Sequence, residues 1–229
     1  MLEVTDLHAG YGRTDVVHGV SFTVPDHSVF AVMGHNGAGK TTLLKTILGL
    51  LPARSGTITF DGVDVTTLKT HRRVQNGMAY VPQGQLSFPQ LTTMENLQLV
   101  ADGREDGAAR IEEMLTRFPA LKQFERRKAG LLSGGQRQQL SIARALITHP
   151  KLIILDEPTE GIQPNIVAEI EDLVIALADS GLSVLLVEQH VSFALAAAAG
   201  YAVLASGYMT AGGTGGTDAV GSVMAAMTI

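Results

Sequence analysis

The sequence predicts an α/β domain organised on a largely parallel sheet, with a helical insert in its middle. Three observations carry this expectation. First, short β-branched, apolar runs at 2–8, 16–24, 29–33, 57–60, 78–81, 152–155, 183–187 and 201–205 alternate with helical periods, as crossover helices between parallel strands require. Second, Val167, Ile170, Val174 and Leu177 recur at helical spacing, so 164–180 reads as an amphipathic helix opened by Pro164 and closed by Gly181. A further helix follows Gly135 and stops at Pro150. Third, the β-branched runs vanish between about Gly84 and Gly130, where 94–100 and 108–118 read as helices.

At 229 residues the chain can bury one substantial core, and no Ser-, Gly- or Pro-rich linker divides it. A net charge of −5 gives no electrostatic support to a nucleic-acid role, so no nucleic-acid partner is expected. With no cysteine, a disulfide scaffold and a thiolate metal site are excluded. Met1-Leu2-Glu3-Val4 runs straight into a strand pattern rather than a signal peptide. No stretch reaches the roughly 20 apolar residues of a spanning helix; 193–205 is alanine-rich with one glycine and reads as a buried helix followed by a strand. The chain is therefore expected to be soluble and to reach a membrane only by docking. Beyond Val191 one charged residue, Asp218, and a Gly/Thr-rich stretch at 210–217 suggest a packed β-terminal region with a turn.

Chemistry enters with Gly34-His35-Asn36-Gly37-Ala38-Gly39-Lys40-Thr41, which fits G-x-x-x-x-G-K-[ST]. It lies between the strand 29–33 and a helix expected over 42–50. Glycines let the backbone curl so that successive N–H groups face phosphate oxygens. The helix N-terminus adds partial positive charge, Lys40 reaches the β/γ-phosphates, and the Thr41 hydroxyl can ligate Mg²⁺. Thr42, opening the helix, completes the phosphate-binding set. Leu152-Ile153-Ile154-Leu155-Asp156-Glu157 is an apolar strand ending in two acids. A carboxylate there is costly without a partner, and Mg²⁺ beside a phosphate loop is the natural one. Asp156 thus reads as the metal-side acid and Glu157 as the residue that polarises an attacking water. Leu132-Ser133-Gly134-Gly135-Gln136 precedes the helix 136–149. Ser133 fits an ordinary helix start; equally, its hydroxyl with bare N–H groups at a helix N-terminus makes a second phosphate-binding surface.

Phosphate loop, L-S-G-G-Q and I-I-L-D-E-P, in this order and spacing, resemble the nucleotide-binding domain of ABC transporters over essentially the whole chain. The resemblance implies a P-loop NTPase (RecA-like) core with an antiparallel β subdomain and a helical insert over about 84–148, forming one domain over 1–229. It implies an ATPase using ATP and Mg²⁺, with each ATP sandwiched between the phosphate loop of one subunit and Ser133, Gly134, Gly135 and Gln136 of a second, head-to-tail ATP-binding subunit, identical or not. Further partners implied are two membrane permease subunits and, indirectly, a solute-binding protein, with the chain peripheral at the cytoplasmic face of the cell membrane. By the same resemblance Tyr11 stacks on adenine, and Gln83 contacts Mg²⁺ and water.

Two positions depart from the family pattern. Gln163 stands where an aspartate is usual, and the switch histidine aligns with Gln189, leaving His190 one residue later; both are candidates for the catalytic sensor. Glu157-Pro158-Thr159-Glu160-Gly161-Ile162-Gln163-Pro164 looks closest to the urea-importer ATP-binding subunit, with branched-chain amino acid importers as the alternative and a non-transport ABC ATPase as a more distant one. His71-Arg72-Arg73 reads by itself as a solvated charge cluster.

Overall fold

The computed structural model describes residues 1–227, and Thr228 and Ile229 of the tail lie outside them. Along the chain come β1 (Leu2–Tyr11), β2 (Thr14–Val24), β3 (Val29–Met33), α1 (Lys40–Ile47), β4 (Ser55–Phe60), β5 (Val63–Asp64), α2 (Thr70–Gln75) and β6 (Met78–Val81). Four helices follow: α3 (Thr93–Ala101), α4 (Gly107–Arg117), α5 (Pro119–Gln123) and α6 (Gly134–Ile147). Then come β7 (Leu152–Asp156), α7 (Pro164–Asp179), β8 (Ser183–Glu188), α8 (Val191–Ala197), β9 (Gly200–Ala205), β10 (Tyr208–Thr214) and α9 (Val220–Met227).

Two sheets result. The smaller is antiparallel in the order β2-β1-β4-β5, and the larger runs β10-β9-β3-β8-β7-β6. All neighbours in the larger sheet are parallel except β10, which returns antiparallel to β9. Both faces of the parallel sheet are covered, and its strands alternate between two cores. Ala31, Met33, Ile153, Leu155, Val184 and Leu186 face the core shared with the helices. Phe30, Val32, Ile154, Leu185 and Val187 face the core shared with the antiparallel sheet and α1. Burial on both sides is why runs such as Leu-Ile-Ile-Leu carry no polar alternation.

Several expectations shift. The first helix begins at Lys40 rather than residue 42, because Gly39 sits in the left-handed region (φ 104°) and ends the loop there. Thr41 and Thr42 therefore belong to the helix's first turn, whose N–H groups have no intrahelical partner. Arg73 does not join a solvated cluster. Its guanidinium is buried and donates to the carbonyls of Thr46, Ile47, Thr66 and Leu68. Two of these end α1, so the cation caps that helix's C-terminus. Burial holds the Arg73 guanidinium below its ordinary pKa. After α8 the tail is strand and turn as far as Thr214, then closes with α9, where Val223 and Met227, one turn apart, enter the helix-side core.

Candidate active site

The site lies at the carboxyl ends of the parallel strands, where open α/β sheets bind ligands. The order β3-β8-β7 sets its plan. Register pairs Met33 with Glu188 and Asp156 with Val187, so the loop after β8 emerges between the phosphate loop and the two acids ending β7. Glu157 turns back over β8: its backbone takes φ 47°, and its N–H donates to Val187 O at 2.8 Å. A non-glycine residue in this region carries strain of about 1–3 kcal/mol, here spent on aiming the carboxylate into the site.

That carboxylate is held by three partners. Oε1 lies 3.1 Å from Lys40 Nζ, and Oε2 accepts from Gln189 Nε2 at 2.8 Å and Gln83 Nε2 at 3.2 Å. Lys40 also donates to Gly34 O (2.7 Å) and His35 O (3.0 Å). Both members of the ion pair are nearly enclosed, at 5% and 7% exposure. Gln189 bridges two walls, because the same Nε2 lies 3.0 Å from Asn36 Oδ1 of the phosphate loop. His190 is exposed; its backbone N–H donates to Glu188 Oε2 at 3.3 Å and its carbonyl accepts from Ala194 N–H at 3.0 Å.

Gly34 shows why the loop is glycine-rich: a Cβ there would stand 2.3 Å from Leu204 O. Gly34, Ala38, Gly39, Lys40 and Thr42 are buried, whereas His35, Asn36, Gly37 and Thr41 face solvent. Tyr11 ends β1 at 46% exposure, with Lys45 Nζ of α1 5.9 Å from its ring centroid.

Asp156 accepts from the Tyr80 hydroxyl at 2.9 Å. Desolvation is the main reason its carboxyl is pushed above the usual range, with the charges of Glu157 and Glu188 adding to it and Tyr80 and Lys40 opposing. Burial and Asp156 likewise push the Tyr80 phenol up. Asp156 and Glu157 are thus two buried carboxylates beside one buried cation, Lys40, with the buried Glu188 adding further negative charge nearby. That surplus of negative charge fits a divalent cation. Among the described residues no three His, Cys, Asp or Glu side chains converge as a metal cage. A cation beside Asp156 would thus draw on few protein ligands plus phosphate and water, the usual arrangement for Mg²⁺.

The second candidate surface is built differently. Ser133 caps α6: its Oγ accepts from Gln136 N–H at 3.2 Å, while Gln136 Oε1 accepts from Ser133 N–H at 2.9 Å. This reciprocal capping box satisfies the helix start internally. Gly135 is required by packing alone, since a Cβ would stand 2.3 Å from Ile166 Cγ2 of α7. Gln85 ties this corner to the first site, accepting from Arg137 Nη2 and donating to Glu160 O, both at 3.2 Å. Gln83 donates to Glu160 Oε2 at 2.6 Å.

Sequence reasoning missed Glu188, Thr159, Tyr80, Gln85 and Glu160. Glu188 had a signal, being an acid ending an apolar strand like Asp156. The others acquire partners only through folding.

The family model for "ABC transporter" matches residues 17–160. A probable branched-chain amino acid transport ATP-binding protein of Archaeoglobus fulgidus is 40% identical over 93% of this chain and 92% of its own length. A high-affinity branched-chain amino acid transport ATP-binding protein of Pseudomonas aeruginosa is 36% identical over 94% and 93%. The lipopolysaccharide export system ATP-binding protein of Escherichia coli K12 is 35% identical over 93% and 90%. Among solved structures, a nucleotide-free ATP-binding cassette from an ABC transporter superposes with a TM-score of 0.89 at 27% identity, covering 98% of this chain and 95% of that one. An ATP-binding cassette of an ABC transporter in its ADP conformation gives 0.86 at 28%, covering 98% and 94%. The phosphate loop, the paired acids and these likenesses together establish that the chain belongs to the ABC transporter family, as an ATP-binding subunit that hydrolyses ATP.

Proposed function

We propose that this ATPase subunit powers an importer of branched-chain amino acids, paired head-to-tail with a second ATP-binding subunit beneath two membrane permease subunits at the cytoplasmic face, a solute-binding protein acting indirectly. The observation that carries the solute class is the 40% identity to the A. fulgidus protein, joined by the P. aeruginosa one. These relatives favour that branch over urea, which Glu157–Pro164 suggested. The urea expectation rested on one short stretch, whereas the likeness spans 217 residues. In keeping with membrane docking, no helix among the described residues is long and apolar enough to cross a membrane. Leu86 and Phe88 are exposed beside α6, where Leu86 O accepts from Ser141 and Arg144, and they offer apolar footing for a permease.

Within the site, the N–H groups of the 34–42 loop and Lys40 hold the ATP phosphates, Tyr11 stacks on the adenine, and Glu157 polarises the water. Thr41, Gln83 and Asp156 would hold Mg²⁺, which would offset the negative charge of the nucleotide's phosphates. Gln189 is the sensor: its side chain already spans the phosphate loop and Glu157, a reach that favours it over His190. Ser133, Gly134, Gly135 and Gln136 face the nucleotide held by the partner subunit. The test is reconstitution with the cognate permeases and binding protein in liposomes. Leucine, isoleucine or valine should stimulate ATP hydrolysis and urea should not; stimulation by urea alone would overturn the solute assignment.

A further inference from the structure

Glu188 is a buried acid that the reaction as described does not use. It is 1% exposed at the end of β8, and its charge is matched by hydrogen bonds rather than a cation. Oε1 accepts from Thr159 Oγ1 at 2.7 Å and Thr159 N–H at 3.3 Å; Oε2 accepts from Gln189 N–H at 3.0 Å and His190 N–H at 3.3 Å. Thr159 stands two residues after Glu157, and Gln189 is the residue whose side chain meets Glu157.

We propose that Glu188 is a positioning residue, a two-ended clamp that fixes the loop bearing Gln189 against the loop bearing Glu157. The proposal rests on the roles given above to those two residues. Three of the four groups around Glu188 are backbone N–H groups, which only donate, and they stand at both ends, so each end needs an acceptor and only a carboxylate offers one at both. An amide of the same shape would turn its own N–H groups against one donor pair. A buried ion without a counter-ion is costly, yet here the backbone donors at both ends require it. Satisfied on both sides, the clamp locks the spacing between the loops after β7 and β8, and with it the Gln189–Glu157 contact. Phosphate binding depends on β3 and α1, on the other side of β8, so it is left alone. Loosening the clamp therefore separates turnover from affinity.

The experiment measures kcat for ATP hydrolysis and calorimetric ATP affinity for Glu188→Gln, Thr159→Ala, Thr159→Ser and the Glu188→Gln/Thr159→Ala double variant. Misplacing reacting groups by about 1 Å can cost roughly 10²-fold. Glu188→Gln should accordingly lower kcat by about 10–100-fold while ATP affinity stays within about threefold. Thr159→Ala should fall in the same direction, Thr159→Ser should recover most of the rate, and the double variant should be no slower than Glu188→Gln. A Glu188→Gln rate within about twofold of the parent, parallel losses of rate and affinity, or equal losses in Thr159→Ser and Thr159→Ala would overturn the clamp. Should Glu188→Gln fail to fold, the Thr159 pair decides, because it keeps the carboxylate. Glu157→Gln and Gln189→Ala serve as controls. Parent rates in both would overturn the underlying reading as well, whereas losses in both with Glu188→Gln at the parent rate would sink the clamp alone.

Discussion

The 34–42 loop with its acids and the Ser133–Gln136 corner both present a helix N-terminus to solvent, yet they are finished to different degrees. Around Glu157 the partners come from separate segments of the chain: Lys40 of α1, Gln83 after β6, Gln189 after β8 and, through it, Asn36 of the phosphate loop. Removing one member of a buried pair typically costs about 3–5 kcal/mol, so these partners depend on one another. Ser133 and Gln136 make their polar bonds with each other, within the first turn of α6, and Ser133 stays exposed. One region is a centre assembled by a single chain. The other is a self-capped, exposed helix start, the form that the proposed shared site requires.

Three changes break or sharpen this contrast. Glu157→Gln, which keeps the shape and loses the charge, should lower hydrolysis by about 10²–10⁴-fold while MgATP still binds. Because trapped nucleotide would bridge two subunits, size-exclusion chromatography with MgATP should show a dimer. Hydrolysis at the parent rate would move the base elsewhere and remove Glu157 from the centre.

Asp156→Asn should lose hydrolysis yet raise thermal stability without ligand. The sign follows from burial: with its folded pKa above 3.8, Asp156 favours folding below that value and loses the contribution as pH rises through the raised pKa. Its charged form at neutral pH is therefore a liability that the amide removes. A gain of about 1 kcal/mol would appear as a Tm increase of roughly 2–4 °C near pH 7, shrinking toward about pH 4. A lower Tm at every pH would mean that the carboxylate is already well compensated.

Ser133→Arg is the smallest change for the isolated chain. Losing the cap hydroxyl costs about 1 kcal/mol, and ATP affinity should stay near that of the parent. Placed in the Glu157→Gln background, however, it should abolish the MgATP-dependent dimer. A dimer that survives would show that this corner does not meet a partner's nucleotide.

The sequence by itself determined what rests on local chemistry. The phosphate loop, the acids closing an apolar strand, the cap at Ser133 and the period of α7 are written in consecutive residues, because loop curvature, capping and amphipathicity act over a few positions. Tertiary structure decided what depends on partners far apart in the chain. Arg73 looked solvated beside His71 and Arg72, but it is buried because α2 lays it across the end of α1. The tail ends in a helix because Val223 and Met227 find a core that the Gly/Thr-rich stretch before them does not reveal. Gln189 and His190 are adjacent and chemically comparable in the sequence; the strand order alone brings Gln189 within 2.8 Å of Glu157. Whereas the N–H groups of Gln189 and His190 are its own neighbours in the chain, Glu188 gains its two Thr159 donors only when β7 lies beside β8. Such a contact has its physical cause in sheet order, which is fixed by burying both faces of the sheet at once and is carried by no short stretch of residues.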